Sequence, residues 1–291
     1  MNKEEREIRC DEITNSVMND IDALIKSSIA KLDEQRVLHI ISLSNDAASA
    51  SYMKNKVAMG ARYGIEVKIH KPRYKGELID ILNKLNKDSR NRIIIQCPFN
   101  EDDWGRLSEL LHYIPDYMDV DGFKFNLLNL NKIQNLDQTL LYPTFSPTAK
   151  GVISLINKAY EGLDMKGTRV TVLGKGLTSG LPIALICEQL GYTVSWCNSR
   201  TPVQTRNNHI KDSKIVISCV GKEMINKENK SDFEDACYIN IGMFRDEEDG
   251  KLKGDINYNE IIELENTLYC NRLFNSTGKL TTMCLILNTV L

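Results

Sequence analysis

The stretch that most constrains the fold is Lys166-Gly-Thr-Arg-Val-Thr-Val-Leu-Gly174 with the residues that follow it. A turn leads into a β-branched apolar run, which delivers the chain to Gly174-Lys-Gly-Leu-Thr-Ser-Gly180. Leu181 to Leu190 then resumes helical spacing, Gly191 ends it, and Thr193-Val-Ser-Trp196 reads as the next strand. A strand, a glycine-rich loop and a helix in this order predict a βαβ unit with an anion site at the helix N-terminus. Glycines let the backbone approach a phosphate, and the helix amides and dipole favour its charge. The spacing G-x-G-x-x-x-G is one residue longer than the usual dinucleotide fingerprint, so the weight falls on its position between strand and helix.

The end of the following strand indicates which nucleotide. The acid that selects NAD is missing, and Asn198-Ser199-Arg200-Thr201 offers hydroxyls and a guanidinium instead. With Lys175 as a second cation, this favours NADP, with NAD the alternative; the bland reading is that Arg200 faces solvent. Ile215-Val-Ile-Ser-Cys-Val-Gly221 and Cys237-Tyr-Ile-Asn-Ile-Gly242 read as two further strands ending in glycine.

The first half alternates as well. Apolar residues Ile13, Val17, Ile21, Leu24, Ile25, Ile29 and Leu32 give one long amphipathic helix over Glu7 to Leu32. Val37 to Ser42, Gly64 to Ile69 and Arg92 to Gln96 read as strands. A turn at Asn45-Asp46, a helix over 47–63 and a helix from Glu77 to Leu85 separate them, and a helix from Asp103 to His112 follows. Asn126 to Asp137 has no strong period, and Pro143 and Pro147 mark a junction. A helix over Thr148 to Tyr160 opens the second half. The expected class is α/β: two α/β domains, the second a Rossmann-like dinucleotide-binding domain. The first covers 1–140 and is completed by a C-terminal helix at 281–291; the second covers 146–271.

Composition narrows the function. The 291 residues carry a formal net charge of −2, with 26% charged residues of both signs interspersed. There is no basic field for nucleic acid and no polybasic membrane patch. The charged start and the lack of a long apolar run argue against a signal peptide or a membrane span. Eight cysteines without metal-finger spacing read as buried thiols of a reducing, cytoplasmic compartment, and no metal site is expected.

Tyr52 and Lys56 lie four apart on the helix over 47–63 and share a face, placing a ring beside an amine. Taken alone the pair reads as an ordinary contact of a lysine stem with a ring. Gln96, before Cys97-Pro98, stands at the carboxyl end of a strand, where ligands of open α/β sheets collect. Its amide can hold an amine or read a polar edge. Asp119-Val-Asp121-Gly122-Phe123 reads as a tight turn that aims Asp121 outward; the other oxygen ligands of a calcium loop are absent. His39 and His70 read as structural.

Tyr52-x3-Lys56, Gln96-x-Pro98, Asp119-Val-Asp-Gly-Phe123, Gly174-x5-Gly180-x-Pro182, Ser199-Arg-Thr201, Val220-Gly-Lys222 and Gly254-Asp255 occur in one order along nearly the whole chain. The set resembles the methylenetetrahydrofolate dehydrogenase/methenyltetrahydrofolate cyclohydrolase family. The resemblance implies a cleft between the two domains, a homodimer, tetrahydrofolate one-carbon derivatives as substrates, and two consecutive reactions at one folate site. It implies Lys56 as the catalytic amine, Tyr52 as the ring packed on the folate, Gln96 as the partner that positions the lysine, and Asp121 as the carboxylate that grips the pterin. Gly174, Lys175, Gly176, Ser199 and Met243 fall at its cofactor contacts.

The chain departs from the family where Phe274-Asn-Ser-Thr-Gly-Lys-Leu-Thr281 replaces a Pro-Gly-Gly-Val-Gly-Pro-Met-Thr run, and where Asn240 replaces an aspartate. Those departures leave two other readings: a nucleotide-binding relative without turnover, and a dehydrogenase with little cyclohydrolase activity.

Overall fold

The computed structural model describes residues 1–44, 47–124, 130 and 132–291. The expected Asn45-Asp46 turn and the start of the Asn/Leu-rich segment lie outside the described residues. Packing divides the chain into two units: one of Met1–Asp20, Leu127–Thr139 and Thr148–Thr281, the other of Ile21–Asn126, Leu140–Pro147 and Thr282–Leu291. Among the described residues no helix is long and apolar enough to cross a membrane.

The smaller unit is a three-stranded parallel sheet in the order β2-β1-β3, with β1 at Val37–Ser42, β2 at Glu66–His70 and β3 at Asn91–Gln96. Helix α2 (Ala47–Arg62) connects β1 to β2, and α3 (Lys75–Leu85) carries the chain back across the sheet to β3. Because β2 and β3 flank β1 on opposite sides, the topology switches at the carboxyl ends of β1 and β3, the place where such sheets bind ligands. All six residues of β3 are buried although it is an edge strand of this sheet, as its run of three isoleucines anticipates for a strand covered on both faces. Ile93 and Ile95 pack with Leu78, Leu82, Leu107, Leu110 and Met118, each such side chain contributing ~1.5–3 kcal/mol on burial.

The helix expected over Asp103 to His112 is two short helices instead, Glu101–Trp104 and Leu107–Leu111. Gly105, at φ +85, ends the first, a conformation that glycine adopts without a Cβ penalty. In the C-terminal segment of this unit, Asn288 donates from Nδ2 to the carbonyls of Val120 and Phe145, both at 2.8 Å.

The larger unit holds a five-stranded, all-parallel sheet in the order β10-β7-β6-β4-β5. Its strands are β4 (Arg169–Leu173), β5 (Thr193–Cys197), β6 (Ile215–Ser218), β7 (Ala236–Asn240) and β10 (Thr267–Cys270). The chain moves outward from β4 to β5 and then returns past β4 to β6, so the Rossmann-type switch point lies between β4 and β6. A two-stranded antiparallel ribbon of β8 (Met243–Arg245) and β9 (Leu252–Gly254) follows β7.

The first part of helix α1 (Lys3–Ile29) belongs to this unit. Buried Thr14 shares a 2.8 Å hydrogen bond with the Tyr269 hydroxyl, Arg272 forks onto Asp11 at 2.8 and 3.0 Å, and the Arg6 guanidinium donates to the carbonyls of Ile262 and Glu263. The final helix runs Thr277–Val290, four residues earlier than its expected start. All eight cysteines stand outside disulfides, with Cys97 and Cys219 half-buried and the rest buried.

Candidate active site

In the smaller unit, the residues singled out by the sequence converge at the carboxyl end of β3. Lys56, on the third turn of α2, donates from Nζ to Gln96 Oε1 at 2.8 Å. Gln96 ends β3 and is 8% exposed; its Nε2 donates to the Cys97 carbonyl at 2.8 Å. That second bond fixes which way the amide points, so the oxygen faces the amine. The peptide from Cys97 to Pro98 is cis.

Burial lowers the Lys56 amine below the usual lysine range, against the opposing pull of Asp121 and Cys97. Asp121 is pushed upward by burial, and the Lys56 charge works in the other direction. The Cys97 thiol is raised to about 12, chiefly by burial, and is therefore held as the neutral thiol.

The two carboxylates of Asp119-Val-Asp121 have different situations. Asp119 is 1% exposed and accepts from the backbone of Gly122 at 3.1 Å and Lys124 at 2.7 Å. Burial raises it to about 7, although those two bonds pull the other way. Gly122, at φ +72, leaves no room for a side chain: a Cβ would meet the Phe145 carbonyl carbon and the Ser146 nitrogen at 2.7 Å. Asp119 and Gly122 thus shape the turn, and Asp121 is the carboxylate that acts on Lys56. Tyr52 lies one turn before Lys56 on the same helix and is 43% exposed, which leaves its ring accessible.

In the larger unit, the glycine loop stands at the switch point between β4 and β6. A Cβ on Gly174 (φ +103) would lie 2.7 Å from the Cys219 carbonyl oxygen, and one on Gly180 would lie 2.2 Å from the Gly174 oxygen. The loop therefore closes against the end of β6 only with glycine at these points. Gly176 has nothing within 4 Å of its Cβ position, which leaves an open approach. Helix Gly180–Gln189 begins without a side-chain cap, since Ser179 does not bond its first amides. Asp255, fully buried, accepts from the Ser218 hydroxyl at 2.7 Å, the Val220 amide at 2.6 Å and the Gly221 amide at 2.9 Å, pinning the end of β6.

Lys175 lies over the Trp196 ring, 4.3 Å from its centroid, while Trp196 Nε1 donates to the Gly174 carbonyl at 2.7 Å. Beyond β5, Asn198 accepts from the Arg200 amide at 2.8 Å and donates its own amide to Thr201 Oγ1 at 3.0 Å, so the loop presents Ser199 and Arg200 outward. Both residues are exposed, and the Arg200 guanidinium has no partner among the described residues. Met243, half-buried, opens β8, and its carbonyl oxygen would lie 3.6 Å from a Cβ on Gly221. Open glycine, an uncapped helix start, Lys175 and an unspent Arg200 make a donor set suited to a phosphorylated dinucleotide.

The Phe274–Thr281 departure is milder in backbone than in sequence. Asn275 adopts φ +54, the left-handed conformation available to the glycine of the family pattern and tolerated by asparagine. Asn240, in place of an aspartate, accepts at Oδ1 from the Ile256 amide at 3.1 Å, and its carbonyl accepts from Thr277 Oγ1 at 2.9 Å.

A Rossmann-type unit with such a loop, and a separate α/β unit presenting a buried amine, define the class of a pyridine-nucleotide oxidoreductase. Residues 146–291 match the NAD(P)-binding domain, and residues 8–121 the catalytic domain, of tetrahydrofolate dehydrogenase/cyclohydrolase. The bifunctional protein FolD of Mycoplasma capricolum is 31% identical over 259 residues, covering 87% of this chain and 85% of that protein. The chain is similar in fold to the FolD methylenetetrahydrofolate dehydrogenase/cyclohydrolase of Campylobacter jejuni, with a TM-score of 0.79, 23% identity and coverage of 96% and 95% of the two chains. The Trypanosoma brucei enzyme, solved with NADP cofactor and an inhibitor, has a TM-score of 0.75, 21% identity and coverage of 99% and 94%. This chain belongs to the tetrahydrofolate dehydrogenase/cyclohydrolase family.

Proposed function

We propose that this chain oxidises 5,10-methylenetetrahydrofolate to 5,10-methenyltetrahydrofolate with NADP and hydrolyses the product to 10-formyltetrahydrofolate, as an enzyme of one-carbon metabolism. The observation that carries this reading is the Lys56 amine, held at 2.8 Å by Gln96 and lowered by burial. A binding-only relative has no use for an amine lowered by burial and set against the charge of a carboxylate.

The bound nucleotide supplies a hydride acceptor. For the first reaction the chain's own contribution is placement: Tyr52 packs on the folate, Asp121 grips the pterin, and Gly174, Lys175, Gly176, Ser199, Arg200 and Met243 hold the nucleotide. For the second reaction, water adds to the methenyl carbon and gives up a proton. The bond from that carbon to N5 then breaks as N5 takes a proton and the added hydroxyl loses its own to solvent, leaving a formyl group on N10 and one proton released overall. Lys56 is the carrier, accepting from the water when neutral and returning the proton to N5, while Gln96 keeps its Nζ aimed.

Lowering the amine raises the share of it that is neutral, the form that accepts a proton from water. A homodimer in the cytoplasm, without nucleic-acid or membrane partners, completes the proposal.

Following absorbance of reduced cofactor and methenyl product together, with 5,10-methylenetetrahydrofolate and each nicotinamide nucleotide, tests it. NADP is expected to be reduced while methenyl product forms and decays. No reduction with either nucleotide, in protein that binds NADP, would favour a relative without turnover. Reduction with methenyl product that decays only at the uncatalysed rate would favour a dehydrogenase with little cyclohydrolase activity.

A further inference from the structure

At the amino end of the smaller unit's sheet, two arginines share a face. Arg36 immediately precedes β1 and Arg92 is the second residue of β3; the register pairs Val37 with Asn91 and Leu38 with Arg92. Side chains alternate along a strand, so Arg36, Leu38 and Arg92 point the same way. Arg92 is 6% exposed and Arg36 half-buried.

The donors of these guanidiniums are only partly spent. Arg92 Nη1 donates to the carbonyls of Ser89 and Asn91, both at 2.9 Å. The Nε atoms of both arginines are buried without a hydrogen-bond partner, and among the described residues neither guanidinium has an ion pair. Asp116, on the adjoining turn, pairs with Lys124, and Glu34 lies 4.0 Å from Arg90. The buried Arg6 of the other unit, by contrast, is engaged by carbonyls. Burial and the neighbouring Arg36 charge lower Arg92 to about 10; Tyr117 is the one group acting the other way, and no carboxylate contributes. The Arg92 Cζ lies 5.8 Å from the Tyr117 ring centroid.

A buried guanidinium beside a half-buried one, with donors left over, is unfavourable on both desolvation and Coulomb grounds. An oxyanion offsets both, because its oxygens accept from the planar fork of a guanidinium and its charge separates the two cations. Phosphate fits best, having enough oxygens to take bonds from both side chains at once.

We propose that Arg36 and Arg92, with Tyr117 as a side wall, form a binding site for a phosphate group, either free or carried on a small molecule. The site is distinct from the lysine centre: Arg92 and Gln96 stand at opposite ends of β3, about 13 Å apart along the strand. It also belongs to a different unit from the glycine loop, so the test is run with the nucleotide site filled.

Wild-type protein saturated with NADP is titrated with inorganic phosphate, and separately with glycerol 3-phosphate, at ionic strength held constant with chloride. Calorimetry and the thermal midpoint are followed. Saturable binding and a rise in midpoint beyond that in chloride are expected, with the tighter ligand telling free phosphate from a phosphate ester. Arg36→Gln is expected to weaken that binding at least tenfold while changing NADP affinity less than twofold, and Arg92→Leu to abolish it. If Arg92→Leu does not fold, the half-buried Arg36 variant decides. No phosphate-specific binding in the wild type, or binding that survives Arg36→Gln, overturns the proposal.

Discussion

Lys56 Nζ and Gln96 Oε1 meet at 2.8 Å although 40 residues separate them, one on a helix and the other at the end of a neighbouring strand. The strand order β2-β1-β3 creates the meeting: α2 leaves β1 toward one side of the sheet, while β3 pairs with β1 on the other. The contact thus depends on the whole βαβαβ path, and the amine's environment inherits the rigidity of a fully buried strand.

Gln96→Glu places a carboxylate where a neutral amide now accepts from the amine. An opposite charge within hydrogen-bond reach raises a lysine pKa, typically by ~1–3 units. The alkaline shift of the cyclohydrolase kcat/KM profile should therefore be at least about one pH unit. A profile that stays where it was would separate Gln96 from the titration of Lys56.

Arg200 has no partner in the described structure and stands beyond β5 on a loop tied by Asn198 and Thr201. Arg200→Ala is expected to weaken NADP by ~1.5–3 kcal/mol and NAD hardly at all, since a charge-assisted bond to phosphate is worth about that much. Dissociation constants for both nucleotides check this. Equal weakening would mean that Arg200 does not read the 2′-phosphate.

Gly180→Ala should affect both nucleotides alike. Its Cβ would lie 2.2 Å from the Gly174 oxygen, so the loop must shift away from the end of β6. A loss of at least about tenfold in affinity for NADP and NAD is expected, on the order of 1.4 kcal/mol or more. Calorimetry on folded variant protein measures it, and unchanged affinity would remove the loop from the nucleotide site.

The two histidines make a pH-dependent contact. Asn91 Nδ2 donates to the Leu85 carbonyl, so its Oδ1 accepts from His39 Nε2 at 2.9 Å. His39 Nδ1 is then left to accept from His70 Nε2 at 2.8 Å. Both rings are neutral in this arrangement. Burial lowers each below the usual value of 6.5, with Lys68 acting on both, His39 and Lys84 on His70, and Glu66, Asp88 and the Asn91 bond opposing on His39.

A depressed folded-state pKa means that the unfolded chain binds more protons, so this stabilisation is complete above pH 6.5 and is lost as pH falls below it. Urea midpoints should drop between about pH 6.5 and 5, and His70→Gln, whose amide can still donate to His39, should flatten that drop. Identical slopes for the two proteins would assign the acid lability elsewhere.

Local pattern made some of this legible. β-branched runs marked β4 and β6, and glycines at 174 and 180 marked a loop that has no space for side chains. Tyr52 and Lys56 were readable as neighbours because helical periodicity is local. The Lys56 contact with Gln96 and the His39 contact with His70 depend on strand order, which no window of sequence contains.

β10 escaped notice because Thr267–Cys270 is four residues long and is buried by α1 and by β7 rather than by a pattern of its own. The division of labour in Asp119-Val-Asp121 was partly hidden for the same kind of reason. The turn was evident, but the burial that separates a shape-giving carboxylate from one acting on the amine was not. Arg92 read simply as the start of a strand, and its unpaired charge emerges only when Arg36 is placed beside it.

The central claim is that the Lys56 amine carries the proton in the hydrolytic step. Lys56→Met keeps much of the stem's packing and removes the amine. Single-turnover decay of 5,10-methenyltetrahydrofolate should slow by ~10²–10⁴-fold in the variant, while the NADP dissociation constant stays within about twofold, since that site belongs to other residues. Dehydrogenase turnover should fall less, because hydride transfer rests on placement. Cyclohydrolase decay at the wild-type rate in Lys56→Met would contradict the account at its centre.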